Sequence, residues 1–143
     1  MASYNKFDSF VEAVAEKKHN LGSDQLKIAL CATANAPVAG NSILANLTQI
    51  AYTNIVNGGT TGRDLTTSSS AQTGGTYKLV LADLTLVASG GSVAPFQYIV
   101  IYNDTATNDE LIGWYDYGSA VTLADGDQFI IDFDAGTGVL TIA

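Results

Sequence analysis

Apolar positions along the 143-residue chain change period near residue 25. Phe7, Phe10, Val11 and Val14 fall at i, i+3, i+4 and i+7, one stripe of a helix, with Asp8, Glu12 and Glu16 off it. This predicts a helical N-terminal segment over 1–22: Ser3 or Asn5 as cap, Lys17 and Lys18 in the last turn, Gly22 as stop. The stripe suits either the domain's own core or an arm reaching a neighbouring subunit.

From Gln25 the period is two. Leu26, Ile28 and Leu30 share one face, and Gln25, Lys27, Ala29 and Cys31 the other, as in a half-buried strand with Cys31 on its polar side. Ile43, Leu44, Leu47 and Ile50 fit a short helix over 42–51. Residues 57–76, NGGTTGRDLTTSSSAQTGGT, hold one bulky apolar side chain, Leu65, and read as a flexible or partner-ordered Gly/Ser/Thr-rich loop.

Beyond the loop, strands and turns alternate. TYKLVLADLTLVA (76–88), PFQYIVIYN (95–103), LIGWYDYG (111–118), DQFIIDFD (127–134) and VLTI (139–142) are separated by turns too short for crossover helices. The whole predicts a single, mainly β domain: an antiparallel β-sandwich or barrel-like meander with a short N-terminal amphipathic helix. A 47% apolar composition supplies enough surface to bury around one core. No apolar run approaches the ~20 residues of a membrane helix, and the N-terminus lacks the charged and apolar regions of a signal peptide.

Charge is uneven. Residues 79–143 carry nine Asp or Glu and no Lys or Arg, whereas residues 1–78 carry five acids and six bases. An acidic surface repels phosphate backbones, so nucleic acid is an unsuitable ligand and a basic or polar protein surface a suitable one. Cys31 is alone, which rules out an internal disulfide and a cysteine-rich zinc site.

Candidate chemistry centres on DGDQFIIDFDAG, 125–136. Asp125-Gly126 is a hairpin-turn dipeptide in which both residues take positive φ, and Phe129, Ile131 and Phe133 on one strand face put Asp132 and Asp134 on the opposite, wet face. A calcium loop begun at Asp125 has Phe129 at its fifth position and Gly136 where the bidentate Glu belongs; one begun at Asp132 runs to Ala143. A glycosidase pair needs a cleft with one raised pKa, which a turn and a wet face do not offer. His19 and Cys31 read as surface residues, so a Cys–His nucleophile requires two lone side chains to meet. GGTTGR at 58–63 lacks the Gly-Lys-Ser/Thr ending of a phosphate loop. Trp114, Tyr115 and Tyr117 suit strand packing better than sugar stacking. No catalytic, cofactor-binding or metal-binding residue is assigned, and the expectation is a protein that is not an enzyme and needs no cofactor.

The run from TYKLVLADLTLVA through YNDTATNDELIGWYDYG to DGDQFIIDFDAGTGVLTI, with KFDSFVEAVAEKKHNLGSDQLKIAL before it, resembles small virion proteins of tailed bacteriophages. The shared pattern is an N-terminal helix, a strand ending near an Ala-Pro turn (Ala36-Pro37), a Gly-rich loop, a YNDTA-like hairpin, and a GD-containing turn before a last hairpin. The resemblance implies a non-enzymatic structural subunit made in the host cytoplasm and carried in the virion. Its role would be capsid decoration (cement) or else a tail or neck component, and its partners the major capsid protein and neighbouring copies of itself. A carbohydrate-binding module using Trp114 and its tyrosine neighbours is the alternative outside that family.

Overall fold

A computed structural model describes residues 2–143. Their architecture is mainly β, 45% strand and 11% helix, in several antiparallel sheets with one short helix near the N-terminus. The elements run β1 (Ser3–Lys6), α1 (Ser9–Ala15), β2 (Leu26–Cys31), β3 (Asp64–Leu65), β4 (Thr67–Thr73), β5 (Thr76–Leu81), β6 (Leu84–Val87), β7 (Val93–Asn103), β8 (Leu111–Leu123), β9 (Gln128–Ile131) and β10 (Leu140–Ile142). The five-stranded sheet has the order β1-β8-β7-β2-β3, a three-stranded sheet the order β10-β5-β4, and β6 pairs with β9. Strands distant in sequence are therefore neighbours in space.

The five-stranded sheet is buried on both faces. On one, Leu26, Ile28 and Leu30 of β2, Ile99 and Ile101 of β7 and Ile112 of β8 pack with Leu79 and Leu81 of β5, Leu86 of β6, Ile131 of β9 and Leu140 of β10. The two smaller sheets thus form a second layer over it, as in a sandwich. On the other face Phe7, Ala29, Cys31, Val100, Tyr102, Leu111 and Trp114 form a second cluster, flanked by Leu44, Leu47 and Tyr98. Each large apolar side chain so buried contributes about 1.5–3 kcal/mol.

Double burial changes how β2 is read. Ala29 and Cys31 occupy the second cluster, so the face that alternation makes polar is dry. In β7 the alternation itself breaks. Phe96 shares a cluster with Ile99 and Ile101, whereas Tyr98, Val100 and Tyr102 lie on the opposite face. The register with β8 jumps between Phe96 and Tyr98, and a bulge there moves the side-chain phase by one residue.

The N-terminal helix is shorter than 1–22. Ser3 and Asn5 are not caps: their segment is β1, pairing Tyr4 with Tyr115 and Asn5 with Trp114. A strand partner satisfies these backbone groups at once, whereas a short helix must bear a costly nucleus. The helix stops at Lys17, not Gly22. Lys17 takes φ 62°, its N–H donates to the Val14 carbonyl and that of Lys18 to the Ala13 carbonyl, the paired bonds of a Schellman ending. Phe10 and Ala13 face the core while Val11 is 57% exposed, so the buried stripe is not the one drawn through Val11.

Two further segments differ from their sequence reading. Residues 42–51 contain a single 3-10 turn, Leu44–Asn46, held where the Ser42 and Ile43 N–H groups donate to Asn46 Oδ1 at 2.9 and 3.1 Å. Residues 57–76, read as a loop, form a 3-10 turn at Thr61–Arg63, then β3 and β4. Arg63 anchors the stretch from within: buried, it donates from Nε to the Gly58 carbonyl at 2.5 Å and from Nη1 to the Ile28 carbonyl at 2.7 Å, and stacks 3.9 Å over the Tyr52 ring.

Gly113 is the tightest point of the β1–β8 seam. A Cβ there would meet the Tyr4 phenol and stand 2.7 Å from the Asn5 carbonyl oxygen. Gly113→Ala is expected to lower unfolding free energy by about 1–3 kcal/mol, the usual cost of overpacking. Tyr4→Phe in the same chain should recover little, because the Asn5 backbone remains in the way; urea denaturation of the single and double variants measures both.

Candidate functional site

Three of the four aspartates of 125–136 are occupied by backbone. Asp125 Oδ1 accepts from the Gly90 N–H at 2.8 Å, and Asp127 Oδ2 from the Ala124 N–H at 2.9 Å. Asp134 Oδ1 accepts from the Gly136 N–H at 2.7 Å and Oδ2 from the Thr137 hydroxyl at 2.9 Å, and these bonds hold its carboxyl below the usual range. The turn at Asp125-Gly126 departs from the two-residue hairpin. Only Gly126 has positive φ, and the strands it joins pair elsewhere, β8 with β7 and β9 with β6.

Phe129, Ile131 and Phe133 face the core as their alternation requires, and Asp132 and Asp134 are exposed. Both acids line a surface hollow of about 430 Å³ whose other wall is aromatic: Tyr4, Tyr115 and Tyr117. Burial, and secondarily Tyr117, pushes the Tyr115 phenol up to about 12, so it is neutral at physiological pH. Partly exposed aromatic rings beside acceptor-only carboxylates suit a ligand rich in hydroxyl or N–H donors. Trp114 takes no part. It is 8% exposed and packs on Phe7, ring centroids 4.5 Å apart, in the cluster on the opposite face of the sheet.

His19 and Cys31, read as surface residues, are both buried. Cys31 sits among the second cluster, where desolvation pushes its thiol up to about 11. His19 lies beside Asn103, which pairs with Leu26, the far end of β2 from Cys31. Five strand residues, roughly 16 Å, separate the two places, so they form no nucleophilic pair.

Around Asn103 is a buried polar knot that alternation did not reveal. Its Oδ1 accepts from the Thr105 and Ala106 N–H groups at 3.0 and 3.1 Å, shaping the YNDTA turn. Its Nδ2 donates to Asp24 Oδ2 at 2.6 Å and to His19 Nδ1 at 3.1 Å. Asn-Asp-Thr is a readable Asx-turn signal; the reach to Asp24 and His19 is not. Arg63, Gln97 and Glu110 are also buried polar residues, and the only sequence signal for Arg63 is a lone cation in a polar stretch.

Among the described residues no group of three or more His, Cys, Asp or Glu side chains is placed to hold a metal ion, and no helix is long and apolar enough to cross a membrane. No family model, curated protein or solved structure matches the chain.

The knot makes stability pH-dependent. Because His19 Nδ1 accepts from Asn103, the ring carries its proton on Nε2, and a second proton at Nδ1 would oppose the Asn103 donor. Burial lowers the His19 pKa below the ordinary 6.5, against the pull of Glu110 and Asp24. The unfolded chain then takes up this proton more readily than the folded one, so His19's contribution is complete above that value and is lost as pH falls below it. Thermal unfolding should show the melting temperature falling between pH 7 and pH 5, with a shallower fall in His19→Gln.

Proposed function

We propose that the chain is a non-enzymatic structural subunit of a bacteriophage virion, a capsid decoration protein that adheres to the head exterior and contacts the major capsid protein and neighbouring copies of itself. The observation that carries this reading is where the polar side chains go. Asp83, Asp125, Asp127, Asp134 and Asn103 each hold main-chain groups of turns and strand ends, and Arg63 holds the Gly58 carbonyl of a turn and the Ile28 carbonyl within β2. They act as internal fasteners of a rigid body.

What remains outside is an acidic surface interrupted by apolar side chains: Val11, Val38, Val56 and Ile130 are each at least 45% exposed. Such a surface suits adhesion to another protein, where many modest contacts per particle sum to firm retention. The resemblance to small virion proteins supports the same reading.

A subunit that binds the assembled shell and not its unfolded coat protein must stabilise the shell. Quantitative mass spectrometry of purified particles should give a copy number comparable to the major capsid protein, and particles stripped of the chain should melt lower. A small ring-like multiple with unchanged capsid melting would instead assign it to the tail or neck.

The tyrosine-lined hollow favours a second reading, sugar binding, with Tyr115, Tyr117, Asp132 and Asp134 in place of the buried Trp114. On that reading a glycan array gives a signal that Tyr117→Ala abolishes while leaving the fold intact. A blank array removes it.

A further inference from the structure

Among the described residues β4 is bonded on one side only, to β5, and five of its seven residues are exposed. Which main-chain groups face outward follows from the hairpin. Gly74 and Gly75 have φ +60° and +86°, a two-residue type I′ turn that makes Thr73 and Thr76 a hydrogen-bonded pair, and alternation makes Ala71 with Lys78 the next. A second bond gives the same phase. The Leu79 carbonyl accepts from the Val139 N–H at 2.8 Å, so it faces β10 and away from β4. Ser70, opposite Leu79, therefore turns its own N–H and C=O away from β5, and Gln72 does likewise.

Proteins ordinarily guard such edges with charge, proline, a bulge or shortness. The other outer strands here are guarded: β1 carries Lys6, β3 has two residues including Asp64, β10 has three, and β6 and β9 have four each. β4 is not. Residues 65–77 contain no Lys, Arg, Asp, Glu or Pro, and the one irregularity of its pairing, between Thr67 and Ser69, leaves Ser69–Thr73 regular.

We propose that β4 pairs antiparallel with β4 of a second copy across a two-fold axis at Ala71. Ser70 lies opposite Gln72 of the second copy, each such pair exchanging two main-chain hydrogen bonds, and the two three-stranded sheets join into one. The symmetry of the edge selects this occupant: the outward main-chain groups of Ser70 and Gln72 stand one residue to either side of Ala71, so a second copy of the same strand meets them in register. Two copies of a chain with net charge −8 repel over most of their surface, and a strand without charges lets them approach with no like charges opposed. Small Ser, Thr and Ala side chains offer little to an apolar partner, so affinity comes from the backbone.

This contact supplies a surface for the self-association included in the virion reading and rests on that reading only there. Its test uses the purified full chain without particles, so its failure is distinct from a failed copy number. Sedimentation equilibrium should give twice the chain mass, and hydrogen exchange by NMR should show the Ser70 and Gln72 amides protected together with those of Ala71 and Thr73. Ala71→Asp, at an exposed position, should sediment as a folded monomer, and mixing it with Ala71→Lys should restore the doubled mass. The proposal is overturned by a monomer at concentrations up to about 1 mM, the weak end of specific association. It is equally overturned by a dimer whose Ser70 and Gln72 amides exchange as freely as solvent-exposed ones, or by Ala71→Asp remaining dimeric.

Discussion

The backbone of β7 has a strand on each edge, β8 and β2, and an apolar layer on each face. Such a strand cannot leave a main-chain polar group unpaired without a desolvation cost, so its neighbours are fixed in register. Leu26 must lie opposite Asn103 and Cys31 opposite Tyr98, and β1 then finds its place on the far edge of β8. The helix, the 42–51 segment and the two smaller sheets are covers for this centre.

The same constraint governs the polar side chains. Once β2 and β7 are locked, the turn after Asn103 starts from a buried position, and Asn103 ties it to Asp24 and His19. Arg63 does the equivalent at the other side of β2, binding the Ile28 carbonyl through a guanidinium whose charge faces carbonyls and the Tyr52 ring. Lys27 stands 3.5 Å from both Asp64 and Asp104, joining β3 and the YNDTA turn to β2. Polar residues that look like candidate chemistry in a list of residue types are, in three dimensions, fasteners of a doubly covered sheet.

This division of labour bears on function. Side chains that fasten turns and strand ends from within suit the proposed role, in which a subunit presents one fixed surface to a repeating lattice. Among the places left free are an acidic, tyrosine-walled hollow between β8 and the β9–β10 turn, scattered exposed aliphatic side chains, and the uncharged edge of β4.

The alternation of 127–134 determined by itself that Phe129, Ile131 and Phe133 enter the core and that Asp132 and Asp134 stay wet, because period two on a single strand needs no knowledge of its partner. Strand content, the antiparallel class and a short N-terminal helix were legible for the same local reason. The burial of Cys31 and Ala29 was not, since a strand covered on both faces loses the contrast that alternation depends on. The face taken by Phe96 was not legible because a bulge is a property of two strands together. β1 and β4 were hidden because short or polar segments become strands only when a neighbour offers its edge. Strand order, the Asn103 knot and the burial of Arg63 belong wholly to the tertiary structure: they join residues far apart in the chain, and only the packed sheet decides which of them meet.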